Sequence, residues 1–492
     1  MAEIAHRLKR KALEELAAVA TLLHAAIAAA KAATPAFPDT LLAWYRKLIA
    51  NKFDGCTILA VFEVKKEIPT DTPLMATSPQ PARSGVKAVF ALADFRKLWL
   101  GQFVSVFGDF LAIFGVVSLI TFRWHGTASQ VTYVLVAYML PLGIVSPIAG
   151  VFVDRLHVKP VMITSDLTRG VLILGLLWAT TLWQVCTIFV VLAVISSFFQ
   201  PAQSITIRTI VPMDKLLAAN AMMSQAFYVV RLLSPVAAGA LVAWLGEKSC
   251  FYLDSFSFFF SAAMIATIHV VRQPAPANKT LKGFFEDLTS GNRFIFTHHS
   301  LAFVITSMVA GMFVMSCLSP LFSIYVRDIL GRQGGQGTLL YGVISSAVGV
   351  GLILGTTFIT RFAKTHSKKA IVVSGLFICG GGVALLGLFK YALAAVGTTF
   401  TMGFGIAFIV VAAQTLMQQE TPREMLGRVS SSFMSVFSFA QVFGLLLSGQ
   451  LAVWLGIRQV FLACSAALVL ISAFGYQRHK STAQAAAAPA ID

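Results

Sequence analysis

From about Leu98 the chain alternates long apolar runs with short polar breaks. The runs fall near 98–122, 131–153, 160–181, 184–207, 217–245, 250–271, 301–326, 338–361, 370–390, 392–418, 428–455 and 457–476. Each is near or above the ~20 apolar residues needed to cross ~30 Å of hydrocarbon. The pattern therefore predicts an all-α membrane protein of about twelve transmembrane helices. The longest internal break runs from Arg272 to Ser300, where Phe284, Phe285, Leu288 and Phe294 mix with Glu286, Asp287 and Arg293. That spacing predicts an amphipathic helix lying on a surface. The break divides the spans into six and six. The expected organisation is a bundle over 91–271, a linker over 272–300, a second bundle over 301–476 and a disordered tail over 477–492, with a cavity between the bundles.

Residues 1–90 read differently. Ile4 to Ala33 is an alanine-rich helical stretch with Lys9, Arg10 and Lys11 near its start, which mimics a signal peptide. Cleavage there would leave Arg83, Lys87, Arg96 and Lys97 outside, against the charge bias described next, so the stretch is read as part of a cytoplasmic extension. Thr70 to Gly85 is rich in Pro, Ser and Thr and reads as a linker, and Met75 opens a stretch suited to an alternative start.

Composition supports lipid as the solvent. Of 492 residues 57% are hydrophobic and 12% charged, about half the charged share of a soluble domain, and the mean hydropathy is +0.79. The net charge of +17 sits in loops and forms no basic stripe interleaved with aromatics, so nucleic acid is not an expected partner. One set of alternate loops collects most of the Lys and Arg, among them Arg155, Lys159, Arg208, Lys215, Lys368, Lys369 and Arg478. The other holds only Arg123, Lys248, Arg327, Arg332, Lys390 and Arg458. The positive-inside bias then places both termini in the cytoplasm and the protein in an inner membrane. Six scattered cysteines form no C-x-x-C pair, so neither a zinc site nor a disulfide framework is indicated. No P-loop, H-E-x-x-H or G-x-S-x-G occurs, and no cofactor or enzymatic activity is expected.

The two halves carry matching signals. After the fourth span comes Gln200-Pro-Ala-Gln203, then Ile210-Val-Pro-Met-Asp214-Lys and Asn220. After the tenth comes Gln414, then Gln418-Gln-Glu420-Thr-Pro422-Arg-Glu-Met-Leu-Gly427-Arg428. In both, a glutamine-bearing span ends at a proline, a short charged turn follows and a new helix begins. The loop after the second span reads Gly150-Val-Phe-Val-Asp154-Arg155-Leu-His-Val-Lys159-Pro160. Gly150 permits close helix approach, Asp154 suits a helix N-terminus or a facing arginine, and Arg155 and Lys159 suit the headgroup region. The plainer reading is a basic turn.

With these features the chain resembles the major facilitator superfamily, and within it the exporter branch of macrolide-efflux and enterobactin-export proteins. The resemblance covers about 90–476. It implies a two-bundle transporter fold and a cytoplasmic latch at Gly150, Asp154, Arg155 and Lys159. The equivalent second-half loop keeps Gly355, Arg361 and Lys364 but lacks the acid, so a second gate there, with Glu420 and Arg428, would be weaker. The fifth span reads Arg231-Leu-Leu-Ser234-Pro235-Val-Ala-Ala-Gly239, similar to the exporter Gly-Pro motif but with Ser234 where glycine is usual.

A charge at bilayer depth costs about 2.5–3.5 kcal/mol on insertion scales, so those present are functional candidates. Gln102, Ser105 and Asp109 share a face of the first span, and Asn220, Ser224, Tyr228 and Arg231 share a face of the fifth. The expectation is that Asp109 and Arg231, with Gln102, Ser105, Asn220, Tyr228, Gln200 and Gln203, line the cavity and that Asp109 takes up a proton. A static buried pair is the competing reading. Asp166 and Arg169, at i,i+3, are expected to be such a structural pair. Asp254 is placed near the start of the sixth span. The expected activity is proton-coupled export of a small amphipathic molecule by a monomer surrounded by lipid. The alternatives are a lipid or lysophospholipid translocator, an importer, or a non-transporting receptor or scaffold.

Overall fold

The structure, a computed structural model, describes residues 85–270, 281–362, 367–422 and 425–487. The expectations for Ile4–Ala33, Thr70–Arg83, Met75, the first part of the 272–300 linker, Lys364 and the side chain of Arg361 lie outside the described residues. The chain divides into Met1–Gly85, of which only Gly85 is described, and Val86–Asp492.

The second unit is helical, with no strand among the described residues. The helices are α1 (Gly85–Phe90), α2 (Ala93–Ser118), α3 (Ala128–Val153), α4 (Val158–Leu174), α5 (Leu182–Ile210), α6 (Leu216–Leu245), α7 (Lys248–Ala266), α8 (Leu281–Thr297), α9 (His299–Ile324), α10 (Gly334–Phe362), α11 (Lys368–Leu388), α12 (Ala392–Glu420), α13 (Leu426–Leu455) and α14 (Ile457–Ala487). Among the described residues eleven helices are long and apolar enough to cross a membrane, and the apolar part of α14, Ile457–Ala473, is shorter. The tail expected to be disordered from 477 continues as helix to Ala487, in keeping with its alanine-rich sequence.

Local chemistry sets the boundaries. Thr127 and Gln130 form a capping box at the start of α3, and Thr181 and Gln184 do the same for α5. The helices α6 and α13 both end in Trp-Leu-Gly: Trp244-Leu245-Gly246 and Trp454-Leu455-Gly456. Each glycine has φ +80°, a left-handed conformation that stops a helix and favours glycine. Both tryptophans are exposed, as expected of interfacial anchors. This repeat between the halves went unread in the sequence, because two tripeptides are a weak signal without their shared position. A second repeat is conformational. Both α2 and α9 continue into a π-helical turn, Leu119–Arg123 and Tyr325–Ile329.

Short connections make successive helices antiparallel. Glycines at seven-residue spacing seat α2 on α7: Gly101 faces Ser261, Gly108 faces Ser257 and Gly115 faces Cys250. The α7 end is fixed by two lysines. Lys97 donates to the Thr267 carbonyl at 2.9 Å, and Lys159 donates to those of Ala266 and Ile268, both at 2.8 Å. Cations there suit the unsatisfied carbonyls of a helix C-terminus. In the second half, α10 and α12 pack so closely that a Cβ at Gly351 or Gly355 would meet the α12 backbone at Phe400 or Phe404. The amphipathic helix α8 docks on α13: Ser432 donates to the Leu288 carbonyl at 2.8 Å and Ile295 is buried.

The sets α2–α7 and α9–α14 join at the end opposite the basic loops. Ser118 pairs with Thr338 at 3.1 Å, Thr121 donates to Ser323 at 3.0 Å, and Gly449 packs on Ser129. Phe114 stacks on Tyr341 with centroids 4.8 Å apart.

Candidate functional site

The ionisable side chains in the interior of the first six spans separate into two places. The first is inside the N-terminal set. Arg169 on α4 bonds Asp166 one turn earlier, lies 3.5 Å from the Ser196 hydroxyl of α5, and sits over the rings of Phe199 and Phe258 at 4.7 and 4.4 Å. Such stacking suits a desolvated guanidinium. Asp254 on α7 is 1% exposed and accepts from Ser257 at 3.2 Å. It fits only because α2 has no side chain at 108: a Cβ there would come within 2.5 Å of the Asp254 carboxylate. The neighbouring Asp109, with Tyr138, Arg169, Ser196 and Asp254, lines one cavity of about 10 Å³, room for roughly one water. The hydroxyl of Ser105 and the Nε of Arg169 are also buried, without a hydrogen-bond partner among the described residues.

The expected i,i+3 pair of Asp166 and Arg169 forms, but it is no isolated strut, since Arg169 also lines the Asp109 cavity. Asp254 completes the group, and sequence reading missed it. Its depth along α7 is visible in the sequence, but its apposition to Asp109 depends on the α2–α7 register. Chemically, one guanidinium serves three carboxylates. Full ionisation would leave uncompensated negative charge in a low-dielectric interior, which is untenable. The group therefore needs an added positive charge, such as a proton.

The second place is α6. Arg231 does not meet Asp109 and makes no hydrogen bond or ion pair among the described residues. It lies on a stripe with Asn220, Ser224, Tyr228, Pro235, Ala238 and Val242. Toward the basic end the stripe is open: Asn220, Ser224 and Arg231 are exposed, and Tyr228 is 50% exposed. Toward the other end it is covered, with Ala238 at 0% and Val242 at 7%, where Gly239 meets Thr338 and Pro235 meets Gly342 of α10. The same face thus passes from an interface between the two sets into an opening.

The remaining expected residues divide. Gln203 donates to Gln102 at 2.8 Å, joining α5 to α2, while Gln200 is exposed. At the basic end the latch residues are apart. Among the described residues no heavy atom lies within 4 Å of a Cβ built on Gly150, so no helix approaches it closely in this conformation. Asp154 forms no ion pair among the described residues, Arg155 is exposed, and Lys159 caps α7. In the second half Glu420 and Arg428 are exposed. The closed end is instead secured by a residue that sequence reading placed only in a loop. Arg327 donates to the carbonyls of Thr121 and Gly126 across the two sets, at 2.8 and 2.7 Å.

Comparison with known proteins agrees with this architecture. A family profile described as Major Facilitator Superfamily matches residues 98–444. The chain is 24% identical to the uncharacterized MFS-type transporter YfiS of Bacillus subtilis, over 76% of this chain and 90% of that one. It is 20% identical to macrolide efflux protein A of Streptococcus pyogenes, over 77% and 94%, and 25% identical to the multidrug efflux pump Tap of Mycolicibacterium fortuitum, over 72% and 90%. Among solved structures, a bacterial homologue of the human lysosomal transporter Spinster superposes with a TM-score of 0.62 at 14% identity, covering 80% of this chain and 97% of that one. A nucleoside transporter gives 0.64 at 12% identity, covering 78% and 99%.

Proposed function

The chain belongs to the major facilitator superfamily, and on that premise we propose that it is a monomeric secondary transporter exporting a small amphipathic molecule across the inner membrane in exchange for protons. The observation that carries the reading is the shared cavity of Asp109, Asp254 and Arg169. A group with surplus carboxylates and room for about one water can take up and release a proton as access changes. The efflux functions named for two relatives support the outward direction.

With both termini on the cytoplasmic side, the open stripe of α6 faces the cytoplasm and the Arg327 contacts close the outer end. Outward opening would separate the Arg327 contacts and bring Gly150, Asp154 and Arg155 against the second half. Ser234 favours one alternative direction, import: it stands where the exporter motif has glycine and donates to Val230 within its own helix at 2.6 Å.

The test is flux in proteoliposomes under an imposed pH gradient, using a fluorescent amphipathic reporter. Gradient-dependent movement that Asp109→Asn abolishes, with the fold retained, supports the reading. Full gradient-driven flux in Asp109→Asn overturns proton coupling through this site.

A further inference from the structure

Arg231 is a charge at membrane depth with no counterion among the described residues. A lone charge in such a place costs about 2.5–3.5 kcal/mol on insertion scales, and those present usually face a partner or water. The carboxylates inside the first six spans lie elsewhere: Asp166 bonds Arg169, and Asp109 and Asp254 share the Arg169 cavity. The second half supplies no counterion either, because the interiors of α9 to α13 contain no Asp, Glu, Lys, Arg or His.

The direction of Arg231 follows from its neighbours on α6. One turn earlier, Phe227 meets Phe110 of α2 with centroids 5.8 Å apart. The next residue, Leu232, packs on Gly349 of α10. Arg231 lies between these directions, so it points into the gap between α2 and α10, where the two sets part. Phe110, Phe227 and Tyr228 form an aromatic wall beside it, with Phe227 42% and Tyr228 50% exposed.

From this arrangement we propose that Arg231 is the charge-recognition residue of the substrate site, and that the substrate is an organic anion. Its carboxylate, phosphate or ionised phenol would take the planar guanidinium fork. Its apolar or aromatic body would lie on the Phe110–Phe227–Tyr228 wall. The inference rests on the transport reading for its purpose. It also separates the two charged places by role: the Asp109 group handles protons and Arg231 handles the cargo.

The test uses the full chain with its cysteines replaced and Tyr228→Cys introduced, one turn from Arg231. Its modification rates are measured with sulfonatoethyl methanethiosulfonate, an anion, and trimethylammonioethyl methanethiosulfonate, a cation, each normalised to a free thiol. The anion-to-cation ratio is expected to be about tenfold higher with Arg231 than with Arg231→Gln. Arg231→Lys should retain most of it. A ratio unchanged by Arg231→Gln, or preference for the cation, overturns the proposal. Failure of both reagents to react also overturns it, since the stripe would then not face an open cavity. Absence of gradient-driven flux in the unsubstituted chain, with the charge preference intact in the labelled one, would sink the transport reading alone.

Discussion

The guanidinium of Arg327 donates to the carbonyl oxygen of Gly126 at 2.7 Å, tying the second half of the molecule to a loop of the first. The loop is built for it. The amide of Gly126 bonds the Ile120 carbonyl at 2.8 Å beside the π-helical turn, and a Cβ at 126 would meet Gln130 and Ile120. Arg327 is itself aimed by Asp328, which accepts from its Nε at 2.6 Å and from Nη2 at 3.0 Å.

Arg327→Ala should therefore open this end. Hydrogen bonds from a charged donor contribute about 1.5–3 kcal/mol, so the population open here should rise about tenfold or more. Distance measurements between spin labels on the two halves would read the shift. Arg327→Lys should fall between, because an ammonium lacks the fork that serves two carbonyls and Asp328 together.

The reverse experiment locks the same end. Ser129→Cys with Gly449→Cys should form a disulfide once the two helices part by about 1 Å, since a Cβ at 449 lies 2.7 Å from the Ser129 Cα and 3.1 Å from its Cβ, nearer than the ~3.8 Å of a usual bridge. Flux should stop on oxidation and return on reduction. Undiminished flux in the oxidised protein would show that this end need not open.

Gly108→Ala should destabilise the protein by about 1–3 kcal/mol, the usual effect of overpacking. The new methyl would run into Ser257 and Asp254. Gly143→Ala, where no heavy atom lies within 4 Å of the added Cβ, is the control. Thermal unfolding should separate them by several degrees.

Arg169→Gln should cost about 3–5 kcal/mol, because it leaves Asp166 as an unpaired buried charge. Asp166→Asn in the same chain should recover part of that loss, and a double-mutant cycle on unfolding free energies would measure the coupling. Additive effects would mean that the two side chains do not act as a pair.

Much of this was legible along the chain. Apolar run length gave the spans, loop charge gave the expected orientation, and helical spacing put Asp166 beside Arg169 and Arg231 on one stripe with Asn220, Ser224 and Tyr228. The separation of Asp109 from Arg231 was not legible, nor was the arrival of Asp254 beside Asp109. Periodicity fixes where a side chain points around its own helix axis, but not which helix stands in that direction. The glycine register of α2 on α7 decided that Asp254 shares a cavity with Asp109. The meeting of α6 with α10 at one end only decided that Arg231 faces an opening. The sequence thus set each helix and the polarity of its faces, and tertiary packing chose their partners, because contact depends on distances between helices that no single-helix repeat encodes.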